Sequence, residues 1–160
     1  MSRIANLPDW HIPYHDKRAL NVAFNFVEET EPSIIIIHEV NDFYALSKFS
    51  KDPRRRLMMQ DELDLSLEWR NRLRSRFPLT RIIELDSNHN KRLRKYLEGQ
   101  APELAYLRCL DMKHLLGLDG MKIEYMEDFV YKGVLFKHGD LVKKDSGATA
   151  KAEFTKEGMS

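Results

Sequence analysis

The chain has 160 residues, 42% of them hydrophobic and 32% charged, with a formal net charge of +1. A chain of this length and make-up folds as one domain with a real core and is neither disordered nor fibrous. Near-neutral charge excludes a global pull toward nucleic acid or membrane surfaces, and the lone Cys109 excludes a disulfide framework or a cysteine-ligated zinc site.

No run approaches the ~20 apolar residues that cross a bilayer, and the stretch following Met1 is too short for a secretory signal. A cytoplasmic protein without a membrane partner is expected. In chain order, residues 4–7 read as a strand stopped by Pro8, and residues 17–29 as a helix with Leu20, Phe24 and Val27 on one face. The run 34–37 is all isoleucine, which suits a strand buried on both faces of a parallel sheet. Residues 43–49 look helical, and a longer helix is expected from Asp52 as N-cap and Pro53 at the first position to about residue 77. Its predicted stripe is Met59, Leu63, Leu67, Leu73 and Phe77.

Residues 81–85 form the next predicted strand, with helices over 91–97 and 102–116, the latter closed by Gly117. Strands follow at 122–126, 129–131 and 134–137, the last two joined at Lys132-Gly133 as a hairpin, before a final helix over 146–157 stopped by Gly158. No repeat or linker divides the chain. The order βαβαβα with a small antiparallel section predicts an α/β sandwich of mixed sheets flanked by helices.

Four histidines stand just past apolar runs, each beside an acid or amide: Asp9-Trp10-His11, His38-Glu39-Val40-Asn41-Asp42, Asp86-Ser87-Asn88-His89 and His138-Gly139-Asp140. Alone, any of these residues reads as a polar loop cap. Together they place imidazole and carboxylate ligands at equivalent ends of neighbouring strands, where open α/β sheets bind ligands. His15 and His114 lack this context and read as surface or packing residues.

A second feature is electrostatic. Between Lys48 and Lys95 stand fourteen basic residues against seven acids, a patch able to follow a nucleic-acid backbone. A solvated helix face is the favoured explanation, since the chain as a whole is nearly neutral and Arg70, Arg72, Arg74 and Arg76 sweep around a helix and form no stripe.

At the histidine segments the chain resembles the calcineurin-like metallophosphoesterases, especially a subgroup of phages and bacteria. That family carries D-x-H, G-D-x-x-D, G-N-H-[DE], H and G-H-x-H in order. Asp9-Trp10-His11 matches the first motif, His38 to Asp42 occupies the second, Ser87-Asn88-His89-Asn90 the third, and His138-Gly139-Asp140 the fourth. Ile12-Pro13-Tyr14-His15-Asp16, Asp42-Phe43-Tyr44-Ala45-Leu46-Ser47 and Lys91-Arg92-Leu93 are also similar to the family, so the likeness runs through the whole chain.

The resemblance implies two divalent ions (manganese, nickel, zinc or iron) and a phosphomono- or phosphodiester substrate. Asp9 and His11 would hold the first ion, Glu39 would bridge, and Asn88 and His138 would hold the second. His89 would face the phosphate as acid or stabiliser, with Asn90 at the position that orients it and Arg92 holding the substrate. The implied reaction is in-line attack on phosphorus by a metal-activated water.

The departures sit on the chemistry. Glu39 replaces an aspartate and lengthens that arm by about 1.3 Å. His38 and Ser87 replace glycines, so strain of about 1–2 kcal/mol is expected at each if its φ is positive. Asn90 replaces an acid, and no G-H-x-H precedes Ser160. The expectation is therefore a single domain over 1–160, incomplete at its carboxyl end and lacking the final strands. A further copy of the chain could cover its open sheet edge. The alternative is a catalytically inactive remnant that binds a partner, with nucleic acid a candidate through the basic segment.

Overall fold

Four consecutive isoleucines have no polar face, so Ile34 to Ile37 is stable as a strand only if both faces are covered. In the computed structural model, which describes residues 3–52, 54, 58–139, 143–145 and 147–156, this run is β2 (Ile34–Ile37), buried at every residue. It pairs in parallel with β1 (Ile4–Leu7) on one side and β3 (Arg81–Leu85) on the other. A fourth parallel strand, β4 (Ile123–Met126), completes the order β1-β2-β3-β4.

Each step in that order moves the same way across the sheet. Right-handed crossovers then put every connection on one face. Accordingly α1 (Lys17–Thr30), α2 (Met59–Arg76) and the segment leading into β4 share one core with Ile35, Ile37 and Ile82. The opposite face of Ile34, Ile36, Ile83 and Leu85 is covered by an antiparallel hairpin, β5 (Asp128–Tyr131) and β6 (Val134–Lys137), chiefly through Phe129. Its turn, Lys132-Gly133, has φ of 50° and 78°, the double left-handed geometry that favours glycine in tight hairpins. The remaining helices are α3 (Lys91–Gln100), α4 (Met112–Leu115) and α5 (Ala148–Lys156). The expected mixed sheets are thus one parallel and one antiparallel sheet.

Three element boundaries depart from expectation. The long helix begins at Met59, because the Asp52 carboxylate is engaged locally by the Arg54 backbone and guanidinium, while Asp61 accepts from the Met58 N–H at 3.2 Å. Pro53 lies outside the described residues. The stretch 43–49 yields a single 3₁₀ turn, Tyr44–Leu46. Residues 102–116 break into 3₁₀ turns at Pro102–Leu104 and Arg108–Leu110 before α4, since Leu104, Tyr106 and Leu107 are exposed and give no continuous stripe to bury. The expected helix 146–157 is described over Ala148–Lys156, its predicted ends and Gly158 lying outside the described residues.

The buried face of α2 is also not the predicted one. Leu67 is exposed, while Glu62, Ser66, Trp69 and Arg70 face inward with Leu63 and Leu73. Arg72 stacks over Trp69 at 4.2 Å and donates to Asn21, and Arg74 donates to the carbonyls of Phe77, Thr80, Met121 and Lys122. Arg76 pairs with Glu28 and Asn25. The helix arginines serve the fold in different directions and make no basic face.

Candidate functional site

Strands β1, β2 and β3 end side by side, and the loops after the first two continue to pair. Asp9 N–H donates to the His38 carbonyl (3.1 Å), His11 N–H to Glu39 (2.9 Å) and Ile12 N–H to Val40 (2.8 Å), while Asp42 N–H returns to Ile12 (3.0 Å). Trp10 and Ile12 alternate into the core, which leaves Asp9 and His11 directed the other way. Asp9, His11 and Glu39 hold φ of 59°, 50° and 53°, a region costing roughly 1–2 kcal/mol for a side-chain-bearing residue. The strain expected at His38 and Ser87 is absent, since neither has positive φ; it falls on three predicted metal ligands instead.

Glu39 is the centre. Its carboxylate is 2% exposed, and imidazoles surround it: His89 Nδ1 at 3.2 Å and His11 Nδ1 at 3.7 Å from Oε2, and His138 Nε2 at 3.3 Å from Oε1. Asp42 adds a second carboxylate, 3.4 Å from His11 Nδ1 and 3.8 Å from His89 Nδ1. Arg92 closes the side, donating to the Asp42 carbonyl (2.7 Å) and carboxylate (3.2 Å) and meeting His89 Nε2 at 2.8 Å. A guanidinium only donates, so His89 Nε2 accepts and the proton of the neutral ring sits on Nδ1, toward Glu39.

Two of the three rings facing Glu39 are tuned apart. His11 is raised above its ordinary value, chiefly by its hydrogen bond to Asp42, against burial. His89 is lowered, first by burial, with Arg92 reinforcing and Glu39 opposing. At Asp42 burial disfavours the charge but is outweighed by His11, His89 and Arg92, leaving the carboxyl below its usual range. His38, packed 5.6 Å from the His138 ring, is lowered by burial and by that neighbour.

One ligand atom each from His11, Glu39 and His89 lies within 4.8 Å of the others. Around an ion with bonds of ~2.0–2.2 Å, donors sit roughly 3–4.4 Å apart, so small side-chain adjustments close this set on one ion. Glu39 Oε1 and His89 Nδ1 are buried and make no hydrogen bond despite their near neighbours. Buried donors and acceptors are rarely left so; Glu39 Oε1 fits a metal environment, and His89 Nδ1 would fit one only with its proton displaced.

The structure thus brings together Glu39, His11, His89, His138 and Arg92, with the more exposed Asp9 3.8 Å from His11. Asn88 is on the rim, exposed and lining an adjoining groove. Asn90 does not stand against His89; its amide donates to the Tyr125 hydroxyl (3.2 Å), which itself donates to Asp86 (2.5 Å). Glu39 and Arg92 flank the His89 ring in its place.

Beneath the loop lies a buried chain that the sequence did not reveal as a unit. Glu62 accepts from Phe43 N–H (2.7 Å) and Asn41 (3.4 Å), Asn41 accepts from Arg70 (2.8 Å), and Arg70 forms two bonds with Glu84 (2.8 and 2.6 Å). The signal was Glu84 itself, a charge inside an apolar strand that demands a buried partner.

Two phage proteins are similar in sequence. The "Gene 54 protein" of Mycobacterium phage L5 is 24% identical over 146 residues, covering 86% of this chain and 56% of that protein. The "Gene 54 protein" of Mycobacterium phage D29 is 25% identical over 148 residues, with the same coverage. The chain therefore spans little more than half the length of these relatives. No family model matches it, and no solved structure matches it.

Proposed function

We propose that this chain is a metallophosphoesterase-type α/β sandwich whose site hydrolyses a phosphate ester with the help of divalent ions. The observation that carries the reading is the buried Glu39 carboxylate with His11 and His89 beside one oxygen and His138 beside the other. Glu39 would be shared between two ions, with Asp9 and His11 holding the first and Asn88 and His138 the second. Manganese, nickel, zinc or iron at this site would supply an activated water and neutralise charge building on the phosphoryl oxygens.

The chain's own residues do the rest. Arg92 presents a fixed cation beside the cluster, suited to a phosphoryl oxygen. His89 is held at Nε2 by Arg92; once its ring turns from Arg92 and Nε2 takes up a proton, it can deliver that proton to a departing alkoxide. Asp42 restrains His11 and Arg92 at once.

The test is hydrolysis of p-nitrophenyl phosphate and bis(p-nitrophenyl) phosphate with manganese, nickel or zinc. His11→Ala, Glu39→Ala and Asn88→Ala are expected to lower turnover roughly a hundredfold or more, several kcal/mol of lost stabilisation. Equal turnover in wild type and all variants would refute the site.

A second reading is a binding protein that kept the frame without the ions. It draws on the exposed Asn88 and on Asn90 turned to Tyr125. Metal analysis separates the two, because a binding-only remnant purifies with substoichiometric metal.

A further inference from the structure

A groove of about 520 Å³ adjoins the cluster, and Arg92 belongs to both. One side of its guanidinium meets His89 and Asp42, and the residue also lines the groove together with Asn88. From there the groove follows α3 past Lys95, Tyr96 and Gln100. Arg92, Tyr96 and Gln100 stand four residues apart on one helix face, a length of about 12 Å. The opposite wall is the loop carrying Lys48, Phe49 and Lys51.

Among the described residues the charged ones lining the groove are all cations (Lys48, Lys51, Arg92 and Lys95), with no carboxylate, in a chain with nearly equal acids and bases. Five of the other basic residues of the segment pair with carboxylates away from the groove: Arg54 with Asp52, Arg70 with Glu84, Arg76 with Glu28, Arg81 with Glu124 and Arg94 with Glu98. Two aromatic rings stand open beside the cations, Phe49 at 69% and Tyr96 at 50% exposure. Lys48 lies 5.8 Å from the Phe49 ring, within reach of a cation–π contact that holds charge and ring together.

We propose that this groove binds single-stranded nucleic acid and leads its phosphodiester backbone to the cluster. Bases stack on exposed aromatics without regard to sequence, and a cationic track follows the phosphates. A duplex keeps its bases stacked on one another, so the rings would have nothing to receive. A small phosphomonoester would use Arg92 and leave the remaining track idle. The chemical step rests on the phosphoesterase reading, whereas binding does not: water adds to phosphorus, one P–O bond breaks, and the departing oxygen leaves as an alcohol with a proton from that water.

The experiment uses fluorescently labelled hexamers of deoxythymidine and of uridine, a DNA duplex of equal length, and bis(p-nitrophenyl) phosphate with manganese. Both single strands are expected to bind more tightly than the duplex, and to weaken as salt rises. The Phe49→Ala/Tyr96→Ala pair is expected to weaken strand binding about tenfold or more, and to lower the rate ratio of hexamer to small ester by a similar factor. Lys95→Glu, an exposed change checked for folding by circular dichroism, should weaken binding and flatten its salt dependence.

Absence of strand binding at low salt, equal binding by the aromatic variant, or equal binding of the duplex would overturn the inference. Hydrolysis of the small ester without hydrolysis of either hexamer overturns it as well, while the phosphoesterase reading stands. Strand binding that depends on Phe49 and Tyr96, with neither substrate hydrolysed, sustains the groove and removes the phosphoesterase reading instead.

Discussion

Glu62 lies beneath the loop that carries Asp42, and its protonation is coupled to the stability of the fold. It is 3% exposed, and burial pushes its carboxyl from an ordinary 4.5 up to about 7, although the Phe43 and Asn41 hydrogen bonds favour the charged form. A folded-state value above the unfolded one means that the folded chain holds the extra proton between them. Glu62 therefore contributes most to stability below about pH 4.5, and the contribution is lost as pH rises through 7. The full span corresponds to roughly 3 kcal/mol. Glu62→Gln is expected to flatten the decline in urea midpoint between pH 5 and pH 8 relative to wild type; parallel declines in the two proteins would contradict it. The neighbouring Arg70–Glu84 pair is fully buried with bidentate geometry, so it fixes where α2 sits on β3 more than it adds net stability.

At the scale of elements the sheet and the hairpin differ in how they are held. Strands β2 and β3 have neighbours on both sides and cover on both faces. The β5–β6 hairpin has only its own ladder and one packed face, and isolated two-stranded ribbons are marginal in water. Hydrogen exchange is expected to be slowest in residues 34–37 and 82–85 and faster by orders of magnitude in residues 128–137. Equal protection in the two regions would show that the hairpin is part of the cooperative core.

These same elements show what was legible. The isoleucine run and the Lys132-Gly133 turn announce themselves because their causes are local: an absent polar face and a demand for positive φ. The histidine segments were legible as residue types at strand ends. The face of α2 was not, because Leu63, Leu65, Leu67 and Trp69 fit strand alternation as well as a helical stripe, and only the Arg70–Glu84 pairing decides its rotation. The central place of Asp42 depends on how two loops zip together, which sequence spacing does not encode. Asn90 was assigned by its position next to His89, yet a helix start turns successive residues about 100° apart, and its amide points to Tyr125.

For the molecule as a whole, the candidate centre concentrates unlike charges with incomplete hydrogen bonding. Glu39 and Asp42 face His11, His89 and His138 in a space that excludes most water. A ligand that binds only the folded state stabilises it by mass action, about 2.7 kcal/mol at a hundredfold excess over Kd. For a chain of this length that corresponds to a rise in Tm of roughly 5–10 °C. Millimolar manganese or zinc is expected to produce such a rise in wild type and not in His11→Ala or Glu39→Ala, as read by differential scanning calorimetry. An unchanged Tm with every ion would speak against a metal centre. No helix among the described residues is long and apolar enough to cross a membrane, and the two phage relatives place similar sequence in proteins of greater length.

The left-handed backbone at Asp9, His11 and Glu39 sets heat resistance against the proposed chemistry. Glycine adopts that conformation without the side-chain penalty of about 1–2 kcal/mol, so each of these positions offers an easy gain to a population sorted for survival on heating alone. A mutant library enriched that way should collect glycine at 9, 11 and 39 within a few rounds. A library enriched for turnover should refuse it there, and the contrast between the two would identify the residues that the site needs at the expense of the fold.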